Sequence, residues 1–170
     1  MTREYELRRV QRLPLPPADV FDFFADARNL EAITPPFLRF RVVTPGAIDM
    51  RTGTLIDYRL KLFGVPFGWR TIIEDYDPPR KFIDRQLRGP YTLWRHMHTF
   101  VPVVDEVGRP VATEMTDVVR YRLPLGPLGG LAHRLFVRRT LDDIFDYRSR
   151  TIERLMLERQ ATAATLLPTS

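Results

Sequence analysis

Cysteine is missing from this sequence, which removes disulfide frameworks, thiol nucleophiles and thiolate metal sites together. Its absence leaves the redox compartment open. Lysine is nearly missing as well: Lys61 and Lys81 stand alone among 26 basic residues, and the rest are arginine. No apolar run approaches the roughly 20 residues that a membrane-spanning helix needs. Residues 1–12 carry charges throughout and lack the apolar centre of a signal peptide, so a cytoplasmic location is expected. No serine sits in a nucleophile elbow, and the glycine-rich run Gly126-Pro127-Leu128-Gly129-Gly130 lacks the lysine of a phosphate loop.

What is present is a chain of 170 residues with a formal charge of +5. Its 21 acids are interleaved with the arginines, no block of one sign stands out, and nucleic acid is not an expected partner. The length suits one domain, placed here over residues 1–160, with 161–170 as a frayed tail. A chain this long buries about 70% of the surface it exposes when unfolded, so staples are not needed.

Period-2 alternation marks a first strand up to Pro14. Pro16-Pro17 then opens a short helix with Val20, Phe21, Phe23 and Phe24 on its apolar face, and a second short helix covers 28–33. Six strands are expected at 38–43, 54–63, 67–76, 81–87, 91–101 and 111–123, parted by Gly/Pro turns. From Gly126 the apolar period becomes helical and persists to about Gln160. The class is α+β. A helix that long must bury its stripe, and the concave face of a curved seven-stranded antiparallel sheet is the only surface large enough.

This order resembles the Bet v 1/START-like (SRPBCC) superfamily with its helix-grip fold, and within it the polyketide cyclase/dehydrase and coenzyme Q-binding branch. The resemblance spans residues of about 3 to 158. It rests on Leu15-Pro16-Pro17-Ala18-Asp19-Val20-Phe21, Leu30-Glu31-Ala32-Ile33-Thr34-Pro35-Pro36, Trp94-Arg95-His96-Met97-His98, Pro124-Leu125-Gly126-Pro127-Leu128-Gly129 and Ile144-Phe145-Asp146-Tyr147-Arg148. It implies a ligand cavity between sheet and long helix and no fixed catalytic set. It also implies a mouth among 32–37, 62–67 and 123–131, with Phe37, Phe63, Val65, Phe67 and Leu128 as an apolar rim able to touch a membrane transiently.

Alternation assigns inward faces. The expected ligand-binding set is Tyr58, Trp69, Ile73, Phe82, Gln86, Trp94, His96, His98, Met115, Asp117, Tyr121, Val137 and Leu141. Mostly apolar with a few polar members, it has the make-up of a small-molecule pocket. His96 and His98, with Asp84 and Asp117 on neighbouring strands, form either a self-satisfying buried network or an acid–base site. The same donors would suit a divalent metal, though neither metal nor cofactor is assigned. His133 would view the cavity from the helix, and Asp142-Asp143 would pair on the surface with Arg138, Arg139 and Arg148. Binding or transport of a lipid, quinone or polyketide-like molecule is the expected function. The alternatives are a cyclase, dehydratase or hydrolase using the histidines and aspartates, and a ribosome- or protein-interaction module. The last draws on an outward set of Arg39, Arg41, Arg59, Arg70, Arg85, Arg95 and Arg120. No obligate protein partner is evident.

Overall fold

In β6, Leu93–Val104, the side chains Trp94, His96, His98 and Phe100 are buried, while Leu93, Arg95, Met97 and Thr99 between them are partly open. The same alternation buries Met115, Asp117, Val119 and Tyr121 of β7, Pro110–Arg122. Two strands that each bury every second residue must share one covered face, and that face is where the long helix lies.

The computed structural model describes residues 3–62, 64–124 and 126–166. The remaining strands are β1 (Glu4–Leu13), β2 (Arg41–Val42), β3 (Leu55–Leu62), β4 (Val65–Asp77) and β5 (Lys81–Arg88). All pair antiparallel in one seven-stranded sheet, ordered β1-β7-β6-β5-β4-β3-β2. Between β1 and β2 come helices α1 (Pro17–Ala25) and α2 (Asn29–Ala32). Gly64, at φ 80°, turns β3 into β4 in a conformation that a side chain would strain.

Several boundaries depart from the sequence reading, among them β4, which starts at Val65 rather than 67. The strand expected at 38–43 is only Arg41–Val42, because Pro36–Leu38 form a 3₁₀ turn that Arg39 ends at φ 43°. Strand β6 starts two residues later than expected and runs on to Val104. The final helix continues to Leu166 rather than stopping near Gln160, so 161–166 are helical and 167–170 lie outside the described residues.

That helix has three parts: α3 (Gly126–Ala132), a π turn (His133–Val137) and α4 (Arg138–Leu166). Gly129 packs so closely against the Pro124 carbonyl oxygen that a Cβ would clash with it. Farther along, Ile152 and Met156 are fully buried with Val20, Phe21, Phe23 and Phe24 of α1 and with Phe82, Phe100 and Met115 of the sheet. Arg9 of β1 clamps the helix electrostatically, with Nη2 donating to Asp142 Oδ1 at 2.7 Å and Nε to Asp146 Oδ1 at 3.2 Å. Asp142 therefore pairs with β1 and not with an arginine of its own helix.

On the outer face the arginines meet acids. Arg70 pairs with Asp57 at 2.8 Å, Arg95 and Arg85 share Glu74 at 2.8 and 3.2 Å, Arg120 meets Glu6 and Arg41 meets Glu31. Five of the seven outward arginines thus have an acid partner, and two of the five share Glu74. Arg39 and Arg59 instead line a pocket together with Lys61.

Ile152 is the most direct test of this packing. Ile152→Ala should destabilise the protein by about 2–5 kcal/mol through lost burial and the cavity left behind. Urea unfolding reads the change. A loss below about 1 kcal/mol would mean that α4 is not seated on α1 and the sheet as described.

Candidate functional site

Between the sheet and the first half of α4 lies a cavity of about 240 Å³. It is larger than the roughly 150 Å³ apolar cavity that accommodates benzene. Its floor comes from Ile56, Tyr58, Trp69, Thr71, Ile73, Phe82 and Trp94 of the strands. Its roof comes from Phe136, Val137, Thr140, Leu141, Ile144, Phe145 and Arg148 of the helix. Leu38, Phe40, Leu62 and Phe67 border the side where the short 3₁₀ turn faces the β3–β4 hairpin.

Of the thirteen residues expected to meet a ligand, nine line this space: Tyr58, Trp69, Ile73, Phe82, Trp94, His96, His98, Val137 and Leu141. Gln86, Met115, Asp117 and Tyr121 do not. Gln86 is bound by the backbone instead, its Nε2 donating to the Tyr91 carbonyl at 2.7 Å. Met115 is fully buried within the packed end of the core. Tyr121 turns to His133, Oη to Nε2 at 2.9 Å. His133 in turn stacks on Tyr5 with ring centroids 3.5 Å apart, so it serves the β1–helix junction and not the cavity. Asp117 sits behind the histidines. Among the rim residues, Phe67 borders the cavity, Phe37, Val65 and Leu128 are exposed, and Phe63 lies outside the described residues.

Strand register explains the polar cluster in the wall. Asp84 of β5 sits opposite His96 of β6, and His98 sits opposite Asp117 of β7. Side chains on one face also reach diagonal neighbours two residues along, so each imidazole meets both carboxylates. His96 Nε2 is 2.9 Å from Asp117 Oδ1 and Nδ1 is 3.7 Å from Asp84 Oδ2. His98 Nε2 is 3.3 Å from Asp84 Oδ2. Its Nδ1 is 2.7 Å from Asp117 Oδ1, but too far out of line to form a hydrogen bond. The two rings lie 3.8 Å apart, and Phe82 stacks on His98 at 4.1 Å.

Burial and then the neighbouring charge of His98 pull the His96 pKa down, against the pull of Asp117. Burial also opposes charge on His98, but Asp117 and Asp84 outweigh it and raise its pKa. For Asp117, burial is overcome by His98 and His96, and its carboxyl titrates well below the usual carboxylate range. The cluster therefore joins Asp84 and Asp117 to His98, whose protonated form they favour, to His96, whose neutral form burial favours, and, from α4, to the guanidinium of Arg148. One donor atom each from Asp84, His96 and His98 lie within 4.8 Å of one another, close enough for a single first-row ion. The positive charge of Arg148, which both Asp84 and Asp117 feel, opposes a second cation there.

Arg148 is the cavity residue that the sequence reading misplaced, by giving it to the solvent face. It is buried, with Phe24 5.7 Å from its guanidinium carbon. Helical arithmetic would have found it: residue 148 lies seven after Leu141 and four after Ile144, and four before Ile152.

Asp117 is the anion on which both histidines converge, so Asp117→Asn should cost about 3–5 kcal/mol, the scale for breaking a buried pair. The pH profile carries a sign. The depressed pKa of Asp117 makes its contribution full above 3.8 and lost as pH falls below that. His96, also depressed, contributes above 6.5 and loses that as pH falls. His98, raised, contributes below 6.5 and loses that as pH rises through its folded value. Urea unfolding across pH 3–8 should show the variant less stable at pH 7 and with a shallower decline below about pH 4. A variant that keeps the wild-type acid slope would remove Asp117 from the centre of the cluster.

The family of polyketide cyclases/dehydrases and lipid transport proteins matches residues 13–146. No curated protein matches the sequence. Among solved structures, TTHA0849 from Thermus thermophilus is 18% identical with a TM-score of 0.63, over 91% of this chain and 99% of that one. Norcoclaurine synthase from Thalictrum flavum, in complex with dopamine and hydroxybenzaldehyde, is 13% identical at 0.63, over 92% and 88%. The di-domain ARO/CYC BexL of the BE-7585A biosynthetic pathway is 18% identical at 0.62, over 88% of this chain and 45% of its own. These likenesses carry the fold, in which a curved seven-stranded sheet grips a long C-terminal helix. The chain belongs to the polyketide cyclase/dehydrase and lipid transport family.

Proposed function

We propose that the protein binds an apolar small molecule, of lipid, quinone or polyketide type, between the sheet and α4. The observation that carries this reading is the 240 Å³ space lined mainly by apolar and aromatic side chains, with few polar groups. The family match supports it, as does a shared fold that in the Thalictrum flavum enzyme accommodates small aromatic molecules. Guests would enter past the exposed Phe37, Val65 and Leu128, where transient membrane contact is part of the same proposal.

Native mass spectrometry of the purified protein, with organic extraction, should reveal a co-purifying apolar compound. The neutral dye N-phenyl-1-naphthylamine should bind and gain fluorescence. Thr140→Trp, which fills the cavity from a half-buried position on its roof, should weaken the dye about tenfold or more without lowering the melting temperature. No co-purifying compound together with no dye binding would end the proposal.

An acid–base enzyme is the second reading, favoured by the presence of His96, His98 and Asp84 on the cavity wall. The Nε2 of each ring is hydrogen-bonded to an aspartate, at 2.9 and 3.3 Å, so a guest would have to meet an Nδ1 or displace one of those bonds. ¹⁵N spectra of the labelled imidazoles during titration with a bound ligand would follow either change. Ring signals that stay unmoved at saturation would leave the binder reading alone.

A further inference from the structure

Arg148 brings a guanidinium with five N–H donors into a buried space, and no described residue accepts from it. Its Nε is fully occluded and without a partner. An arginine retained only as countercharge to Asp84 and Asp117 would sit on them, as Arg9 sits on Asp142 and Asp146. It does not: neither carboxylate forms an ion pair with it, and both are held by the histidines instead. Phe24 lies against the group, and the cavity lies along it. A buried donor set left open in this way is costly unless something else fills it.

A second open donor belongs to the same wall. Tyr58 is buried, lines the cavity, and its hydroxyl has no hydrogen-bond partner among the described residues. Burial favours its neutral, proton-donating form, and it lies close enough to Arg148 for each to feel the other's charge. The helix thus offers a planar fork of donors and the sheet a single O–H. Such a fork matches the two coplanar oxygens of a carboxylate.

We infer that the guest is a monocarboxylate with an apolar body, its carboxylate seated on Arg148 and Tyr58 and its body among the aromatic side chains. This rests on the proposed binding function and adds the chemical class of the ligand. Asp84 also lines the cavity, but its charge is engaged by His98 at 3.3 Å and does not face the seat unpaired.

Displacement of N-phenyl-1-naphthylamine by decanoate and by methyl decanoate separates the two ideas. The wild type should bind decanoate about ten to a hundred times more tightly than the ester, the range for hydrogen bonds to a charged group. Arg148→Met should remove that preference while still binding the dye and the ester, and Tyr58→Phe should reduce it several-fold. Circular dichroism reports whether each variant is folded, and the wild-type comparison stands without either variant. Dye bound with no preference for acid over ester overturns this inference and leaves the binding function intact. A preference that survives in folded Arg148→Met overturns it too. Failure to bind dye, acid and ester alike removes both.

Discussion

The apolar stripe of α4 has to be covered along its whole length, and the sheet provides one concave face on which to do it. Over the second half of the helix the cover is complete. Helix α1 fills the remaining angle with four aromatic and branched side chains, and Ile152 and Met156 are left with no exposed surface. Over the first half the end of α1 and residues of α2 such as Leu30 border the space without filling it. The helix is held off by the aromatic side chains it faces, Trp69 and Trp94 stand edge to face at 5.2 Å, and space remains. One helix thus divides the interior into a packed end and an open end, and every candidate functional group lies at the open end or at the seam.

The seam is electrostatic as well as steric. Asp84 and Asp117 stand on the strands either side of β6, and the two histidines of β6 lie between them as the hydrogen-bonding partners of both. Because each ring bonds an aspartate through Nε2, both carboxylates find partners within the sheet. The helix contributes its own cation from above and leaves it unclaimed. That asymmetry separates a wall that holds itself together from a group still open to a partner.

Alternation made most of this legible in advance. The inward faces of β6 and β7 follow from their sequences, and with them the meeting of His96, His98, Asp84 and Asp117. The β2 region was harder to read, because 38–43 alternates like a strand while Pro35 and Pro36 force a turn into its start. Alternation also says which way a side chain points without saying what stands in front of it. Met115 and Asp117 point inward as expected, yet one faces α1 and the other faces histidines, so neither reaches the cavity. Arg148 is expected on the surface yet is buried, for a different reason. Its charge outweighed its spacing, although the spacing places it squarely within the stripe.

The packed end also governs the open one. Phe24, wedged among Phe82, Phe100 and Phe23 in the core, is the side chain against which the guanidinium of Arg148 rests. Ile152, one turn farther along α4, is locked into the same cluster. The seating of α4 on α1 therefore fixes both the height and the rotation at which residue 148 enters the cavity. Any drift of the helix that left the apolar contacts roughly intact would still turn a planar donor fork away from its acceptor, since a bidentate geometry tolerates little rotation. Close packing at one end is thus the physical means by which an otherwise untethered charge is held in position at the other.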